Sequence, residues 1–348
     1  MPKDNENILP LLDDGPLVPN EPRGFRPEQM VRCEECLRAN APTRVTCLYC
    51  AAVLPIGKTT AELQKPNLRP LQKGEKGYNC ILLRKSNELT AETLALVTDL
   101  LKLNIDDLER IFSAGVSLPL ARAASEAEAV LVQDRLTAFA IQTRVVSDME
   151  LGLEDLLPLR VRTARFGSGA LTLYHLAGGR GVNIPWAEFS LIVTGRLLVK
   201  QVEVKEQKGG RADAQILDAR ELFNDVAVLD LYCGNDDGNY RILASSFDFS
   251  CLGEQKSLLA AENFKLLVAA IRERAAQAEY DDSFNSLRST LAPVWPAEQQ
   301  IESRGWRRER PGKYSVGAVI ESNNESQFLR YSRLRYYLKR GSQPTNSS

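Results

Sequence analysis

Apolar positions come in three successive patterns along this chain. The first 30 residues are rich in Pro, Asn and Asp and show no apolar period, which predicts a flexible leader over 1–30. Residues 56–77 contain Pro66, Pro70 and several lysines and read as a linker. Ordered patterning begins at Tyr78, where the apolar run Tyr78–Leu83 suits a strand. Thr90 can cap a helix bearing Leu94, Val97 and Leu101, and Asn104 a second bearing Ile105, Leu108, Ile111 and Phe112. Gly115 stops that helix, and Val116–Ala121 can form another strand. Ser125 and Glu128 make a capping box for a third helix through about Thr137. Ile141, Thr143 and Val145 then alternate as a strand. The predicted order over 78–148 is β, α, α, β, α, β, a small α+β module.

Beyond an acidic joint at Glu150, Glu154 and Asp155 the pattern turns to strands. Candidates are Leu159–Phe166, Ala170–Leu176, Gly181–Trp186, Ser190–Val204, Asp225–Cys233 and Tyr240–Phe247. Gly234-Asn235-Asp236-Asp237-Gly238 supplies the turn between the last two. A helix follows with Phe264, Leu267, Val268, Ile271 and Ala275 on one face. The module 158–278 is therefore an antiparallel β barrel or sandwich closed by a C-terminal helix. An extension, 281–348, carries Trp295, Trp306 and a basic stretch with ten Lys/Arg against four Glu between Ile301 and Arg340.

Length and charge narrow the possibilities. A chain of 348 residues fits two or three domains, and a net charge of −1 gives no whole-chain attraction to nucleic acid or anionic membrane. No apolar run reaches the eighteen residues of a membrane span, and the polar, acidic N-terminal stretch has no signal-peptide core. A cytoplasmic location is the resulting expectation, and in a reducing compartment clustered cysteines point to metal rather than disulfides.

Four of the seven cysteines do cluster. Cys33-x₂-Cys36 and Cys47-x₂-Cys50 are separated by ten residues, enough for a short hairpin that closes a tetrahedral four-thiolate site. Asn40 and Pro42 suit the turn between the two knuckles. This predicts one structural Zn²⁺ held by Cys33, Cys36, Cys47 and Cys50 over residues 31–55. Cys80, Cys233 and Cys251 lie among apolar residues and read as core filling.

Three resemblances follow from these stretches. The segment CEECLRANAPTRVTCLYCAAVLP resembles the bacterial zinc-ribbon family, in which such sites are structural. Its cysteine and asparagine spacing is also that of the Ran-binding-protein finger, although Val31 stands where that family has tryptophan. Leu37 and Ala51 replace the usual knuckle glycines. The element order over 78–148, with LLKLNIDDLERIFSAGVSLPLARAASEAEAVLVQDRLTAFAIQTRVV, resembles the ribosomal stalk protein C-terminal domain and the similar Clp-adaptor fold. That resemblance implies a platform on which other proteins dock. The stalk family's glycine- and lysine-rich second helix is here Leu103-Asn104-Ile105-Asp106-Asp107, so the resemblance implies no ribosomal role. The strands and helix of 158–278 are similar to the pleckstrin-homology-like barrel.

The remaining motifs carry weaker chemistry. His175, the single histidine, sits beside Leu173 and Tyr174 and reads as a strand residue. Gly167-Ser168-Gly169 and Gly178-Gly179-Arg180-Gly181 lack the Lys-Ser/Thr and the helix of a phosphate loop, and read as hairpin turns. Asp106–Asp107 and Asp236–Asp237 fall at a helix start and a turn, where acids serve local ends. The C-terminal run SQFLRYSRLRYYLKR makes Arg330, Arg333, Arg335, Lys339 and Arg340 candidate contacts for nucleic acid or anionic lipid. The alternative is a docked terminal helix with a solvated basic face. Together these readings predict a multi-domain α+β protein that binds partner proteins without catalysis. The second reading is a nucleic-acid-associated protein using Arg38, Arg44 and the basic run.

Overall fold

The computed structural model describes residues 25–55, 64–72, 74–83, 89–154, 157–175, 179–209, 215–234, 239–310 and 313–342. For 203–209, 215–220, 303–310 and 313–318 it gives the backbone alone. The expected leader up to residue 24, the linker over 56–63, Gly178 and the turn at 235–238 lie outside the described residues. Two compact units divide the chain, Met1–Lys65 and Pro66–Ser348, and both helices and sheets are present.

In the first unit the strands are minimal, β1 (Val31–Arg32) and β2 (Ala39–Asn40), paired antiparallel. Its buried set is correspondingly small: Cys33, Cys47 and Leu54, with Val31, Cys36 and Ala52 packed against them. So few apolar contacts cannot balance the conformational entropy of ordering the segment, which leaves the stabilisation to the thiol cluster.

The second unit opens with β3 (Tyr78–Leu82), α1 (Ala91–Leu101), α2 (Ile105–Ser113), β4 (Pro119–Ala123), α3 (Glu126–Ala138) and β5 (Thr143–Ser147). The three predicted caps form as their local chemistry requires. Thr90 Oγ1 accepts from Thr93 N at 3.2 Å, Asn104 Oδ1 from Asp107 N at 2.7 Å and Ser125 Oγ from Glu128 N at 3.3 Å. Strand β3 is central in an antiparallel sheet of order β4-β3-β5.

Then come β6 (Leu159–Val161), β7 (Thr163–Phe166), β8 (Ala170–Tyr174), β9 (Val182–Pro185), β10 (Phe189–Gly209), β11 (Gln215–Cys233) and β12 (Asn239–Leu243). After α4 (Ala260–Arg274) the chain continues as β13 (Glu279–Asp281), α5 (Phe284–Leu291), β14 (Glu298–Arg310), β15 (Lys313–Asn323) and α6 (Glu325–Ser342). Strands β7, β8 and β9 form one antiparallel sheet, and Gly167 N donates to Ala170 O at 2.9 Å in the first hairpin turn. The largest sheet is curled and runs β14-β15-β10-β11-β12-β6, with β13 beside β10. Its pairings are antiparallel except β6 with β12 and β13 with β10.

Apolar side chains cover both faces where this sheet crosses the molecule. On one face Leu191, Val193, Val228 and Tyr232 join a core made with β3–β5, the helices α1–α3, α5 and α6. On the other, Ile192, Leu229 and Leu231 meet the β7–β9 sheet and Phe264, Leu267, Val268 and Ile271 of α4. The period-two alternation of a strand turns one sheet into a wall between two cores.

The sheet's outer part departs from the sequence pattern. Strand β11 begins at Gln215 rather than near Asp225, and β14 and β15 add a hairpin that pairs with the far end of β10. This region has polar residues on both faces and exposes Leu222, Phe223 and Ile301, so no buried face imposes an alternation. Backbone hydrogen bonds to neighbouring strands hold it instead.

The C-terminal helix is docked. Phe328, Tyr331, Leu334 and Tyr336 of α6 are buried, and Tyr331 OH donates to Asp281 Oδ2 at 2.9 Å. Gly195 on β10 permits the approach. A Cβ there would lie 2.6 Å from the Phe328 ring and 2.9 Å from the Phe284 ring.

Candidate metal centre

Two turns of the same construction present the four cysteines. In the first, Cys33 N donates to Arg38 O and Leu37 N to Cys33 O, both at 2.9 Å. In the second, Cys47 N donates to Ala52 O at 2.7 Å and Ala51 N to Cys47 O at 3.0 Å. Each turn needs a left-handed residue after its second cysteine, and Leu37 (φ 59°) and Ala51 (φ 60°) occupy those positions. These are the places where the sequence lacks the usual glycines. The strand pairing also differs from expectation. Rather than one hairpin between the knuckles, β1–β2 flanks the first and a Thr46–Val53 bridge flanks the second.

Asn40 ties the two turns together. Its side chain is buried, accepts from Leu48 N at 2.8 Å, and donates to Arg38 O at 3.0 Å and to Cys47 Sγ at 3.4 Å. Sequence reading placed Asn40 in a turn; its second role, orienting a thiol from across the site, depends on the fold.

The four Sγ atoms lie within 4.8 Å of one another. Cys33 Sγ is 3.6 Å from Cys50 Sγ, and Cys36 Sγ is 3.5 Å from Cys47 Sγ. A tetrahedral four-thiolate site with metal–sulfur bonds of about 2.3 Å has sulfurs about 3.8 Å apart, so the cluster fits a metal ion. Burial raises the Cys47 thiol, but hydrogen bonds from the backbone at Tyr49 and Cys50, from Asn40 and from Cys36 bring it down to about 6. The Ala52 backbone lowers Cys50, yet burial and hydrogen bonds with Cys36, Cys33 and Cys47 push it up to about 12. Four thiols this close share their protons, and a dication in their midst would replace those protons and hold all four sulfurs ionised.

Around this cluster large apolar side chains are exposed beside the charged Glu34, Glu35 and Arg38. Leu37, Leu48, Tyr49 and Val53 are all more than half exposed, and the Arg38 guanidinium lies 4.7 Å from the Tyr49 ring centre. Three of the four sit on the knuckle turns themselves.

The other sequence candidates fall in the second unit. Arg335 pairs with Asp281 at 2.6 Å and Glu279 at 3.0 Å, and Lys339 with Glu279 at 3.2 Å. Arg333 is buried with its guanidinium 5.8 Å from the Tyr232 ring centre, and Arg340 is exposed, 5.7 Å from the Tyr336 ring centre. Arg330 is half-buried. The basic run is thus taken up mainly in docking α6. His175 Nδ1 lies 3.4 Å from Arg160 O, and the ring stacks on Tyr240 at 6.0 Å. Cys80 and Cys233 are buried. No described helix is long and apolar enough to cross a membrane. No protein-family model, curated protein or solved structure matches the chain.

Proposed function

We propose that this chain is a non-enzymatic, zinc-ribbon-containing binding or adaptor protein whose partners are other proteins. The observation that carries the reading is the exposure of Leu37, Leu48, Tyr49 and Val53 around the four-cysteine cluster. Large apolar side chains held exposed by tight turns, rimmed by charged residues, suit a protein interface. Zinc is the metal that four thiolates at this spacing suit, and its role is structural, since four protein ligands leave no position for substrate or water. Its ligands would be Cys33, Cys36, Cys47 and Cys50.

The resemblances extend the reading. The element order β3-α1-α2-β4-α3-β5 and its three caps support a stalk-like or Clp-adaptor-like docking platform over 78–148. Seven strands, β6 to β12, followed by α4 support a pleckstrin-homology-like module over 158–278. A cytoplasmic location accords with reduced cysteines in a metal site.

Affinity capture with the intact, zinc-loaded protein tests this, compared with L37S/Y49S at unchanged zinc content. Loss of a specific partner from the variant is the expected result. Equal recovery by both proteins, or recovery by neither, would overturn it.

A further inference from the structure

A second feature lies in the Pro66–Ser348 unit, independent of the metal centre. A pocket of about 650 Å³ is bordered by residues 68–72 and Gly74, the end of α1, β4, the 293–299 segment and the start of α6. That volume is in the range of small-molecule sites. Leu68, Leu71, Leu103 and Val294 give it apolar walls, with Trp295 behind them, and Arg69, Lys102, Arg122 and Arg330 supply charge.

The arginines distinguish this cavity from a packing fault. Among the described residues Arg330 has neither a hydrogen bond nor an ion pair, and its Nε is buried without a partner. Burial, and then the like charge of Arg122, hold Arg330 below its ordinary value. Arg122 directs one nitrogen to Glu75 O at 2.9 Å and to the Asp148 carboxylate, but its Nε is likewise buried and unpartnered. Asp148 already accepts from Gly77 N at 3.0 Å and Asn79 Nδ2 at 2.9 Å. Ser326 Oγ, on the same wall, is a third buried polar atom with no partner. The Asp148 carboxylate is thus taken by Arg122 and does not line the pocket, whose lining holds Arg69, Lys102, Arg122 and Arg330 against the acid Glu298. A buried guanidinium N–H without an acceptor is costly, and an anion entering beside it supplies one.

We propose that this pocket binds a small organic anion, its carboxylate or phosphate against Arg330 and Arg122 and its apolar body against Leu68, Leu71, Leu103 and Val294. The pocket is too large for an inorganic anion alone. A bidentate contact to Arg330 sets the head group, because the planar guanidinium matches both anions.

Calorimetry on the full chain tests the proposal with octanoate, octyl phosphate, octanol, octylammonium and inorganic phosphate. Octanoate or octyl phosphate should bind, with a change in Trp295 fluorescence, and the tighter of the two identifies the head group. R330M, which keeps the side-chain volume, should weaken that binding roughly 10- to 100-fold. E298Q removes the facing acid and should tighten it roughly two- to fivefold. If R330M does not fold, E298Q decides. Octanol or octylammonium binding as tightly as octanoate and octyl phosphate would overturn the proposal. So would inorganic phosphate matching octyl phosphate, or affinity unchanged in the variant that folds.

Discussion

Asp230 and Arg241 face each other across β11 and β12, with Arg241 Nε 2.8 Å from Asp230 Oδ1 and Arg241 Nη2 2.8 Å from Asp230 Oδ2. Both side chains are excluded from solvent. The fork also anchors α6, because Ser332 Oγ donates to Asp230 Oδ2 at 2.8 Å and Phe328 lies under the Arg241 guanidinium at 5.1 Å. Burial opposes the charge on Arg241, but Asp230's charge and hydrogen bonds outweigh it and raise Arg241 above its ordinary value.

Breaking that pair on one side leaves the buried Arg241 guanidinium with its more distant partner Glu325, 3.4 Å from Nη1. D230N should lower the unfolding free energy by about 3–5 kcal/mol. The double variant D230L/R241M should recover much of the loss, since it removes both buried charges together. Urea denaturation of the three proteins measures this, and equal losses in single and double variants would contradict the account.

Gly195 makes a separate prediction about the same helix. The Cβ of G195A would press on the Phe328 and Phe284 rings, so the variant should be destabilised by about 1–3 kcal/mol. In a G195A/F328A protein the two costs should sum to less than their separate values, because one ring is gone. Thermal unfolding of the four proteins completes the cycle.

Metal removal should act locally. A chelator strong enough to strip the four-cysteine site should abolish hydrogen-exchange protection over residues 31–55, while protection in β10 and α4 persists. C47S should do the same without chelator. Loss of protection throughout Pro66–Ser348 would show that the metal supports more than its own unit.

Leu37 and Ala51 occupy left-handed positions that favour glycine. L37G and A51G should each relieve strain of about 1 kcal/mol and slow metal loss to a competing chelator. A faster loss from both variants would mean that the turns gain more from side-chain stiffness than they lose to strain.

Acid should loosen one wall of the cavity. Arg69, followed by the Gln72 backbone, holds Glu75 down from 4.5 to about 2. A depressed carboxylate stabilises the fold fully above its ordinary value and stops doing so as pH falls through its folded value. The Arg69–Glu75 clip should therefore weaken between pH 4.5 and about 2, and Gln72 N, which donates to Glu75 at 2.9 Å, should report it by amide chemical shift. E75Q should remove that titration.

The contributions of sequence and tertiary structure divide at the range of the interactions. Thr90, Asn104 and Ser125 announce their helices because a cap acts on an amide three residues away. The four cysteines are legible for the same reason: each pair is brought together by its own tight turn, and the spacing alone leaves few other arrangements. Strand β10 is legible as the apolar run Leu191–Val193, where both of its faces are buried.

The role of the C-terminal arginines could not be read locally. Arg335 is committed by Glu279 and Asp281 on a distant strand, and Arg330 is brought by α6 to line a pocket. Trp295 reaches Asn79 across 216 residues, at 2.9 Å. Local sequence thus determined the caps, the knuckles and the metal ligands, because short-range geometry is nearly independent of the rest of the chain. Which charges end up paired, buried or facing a cavity was decided only when sheets and helices packed, since that depends on register and docking between segments far apart in sequence.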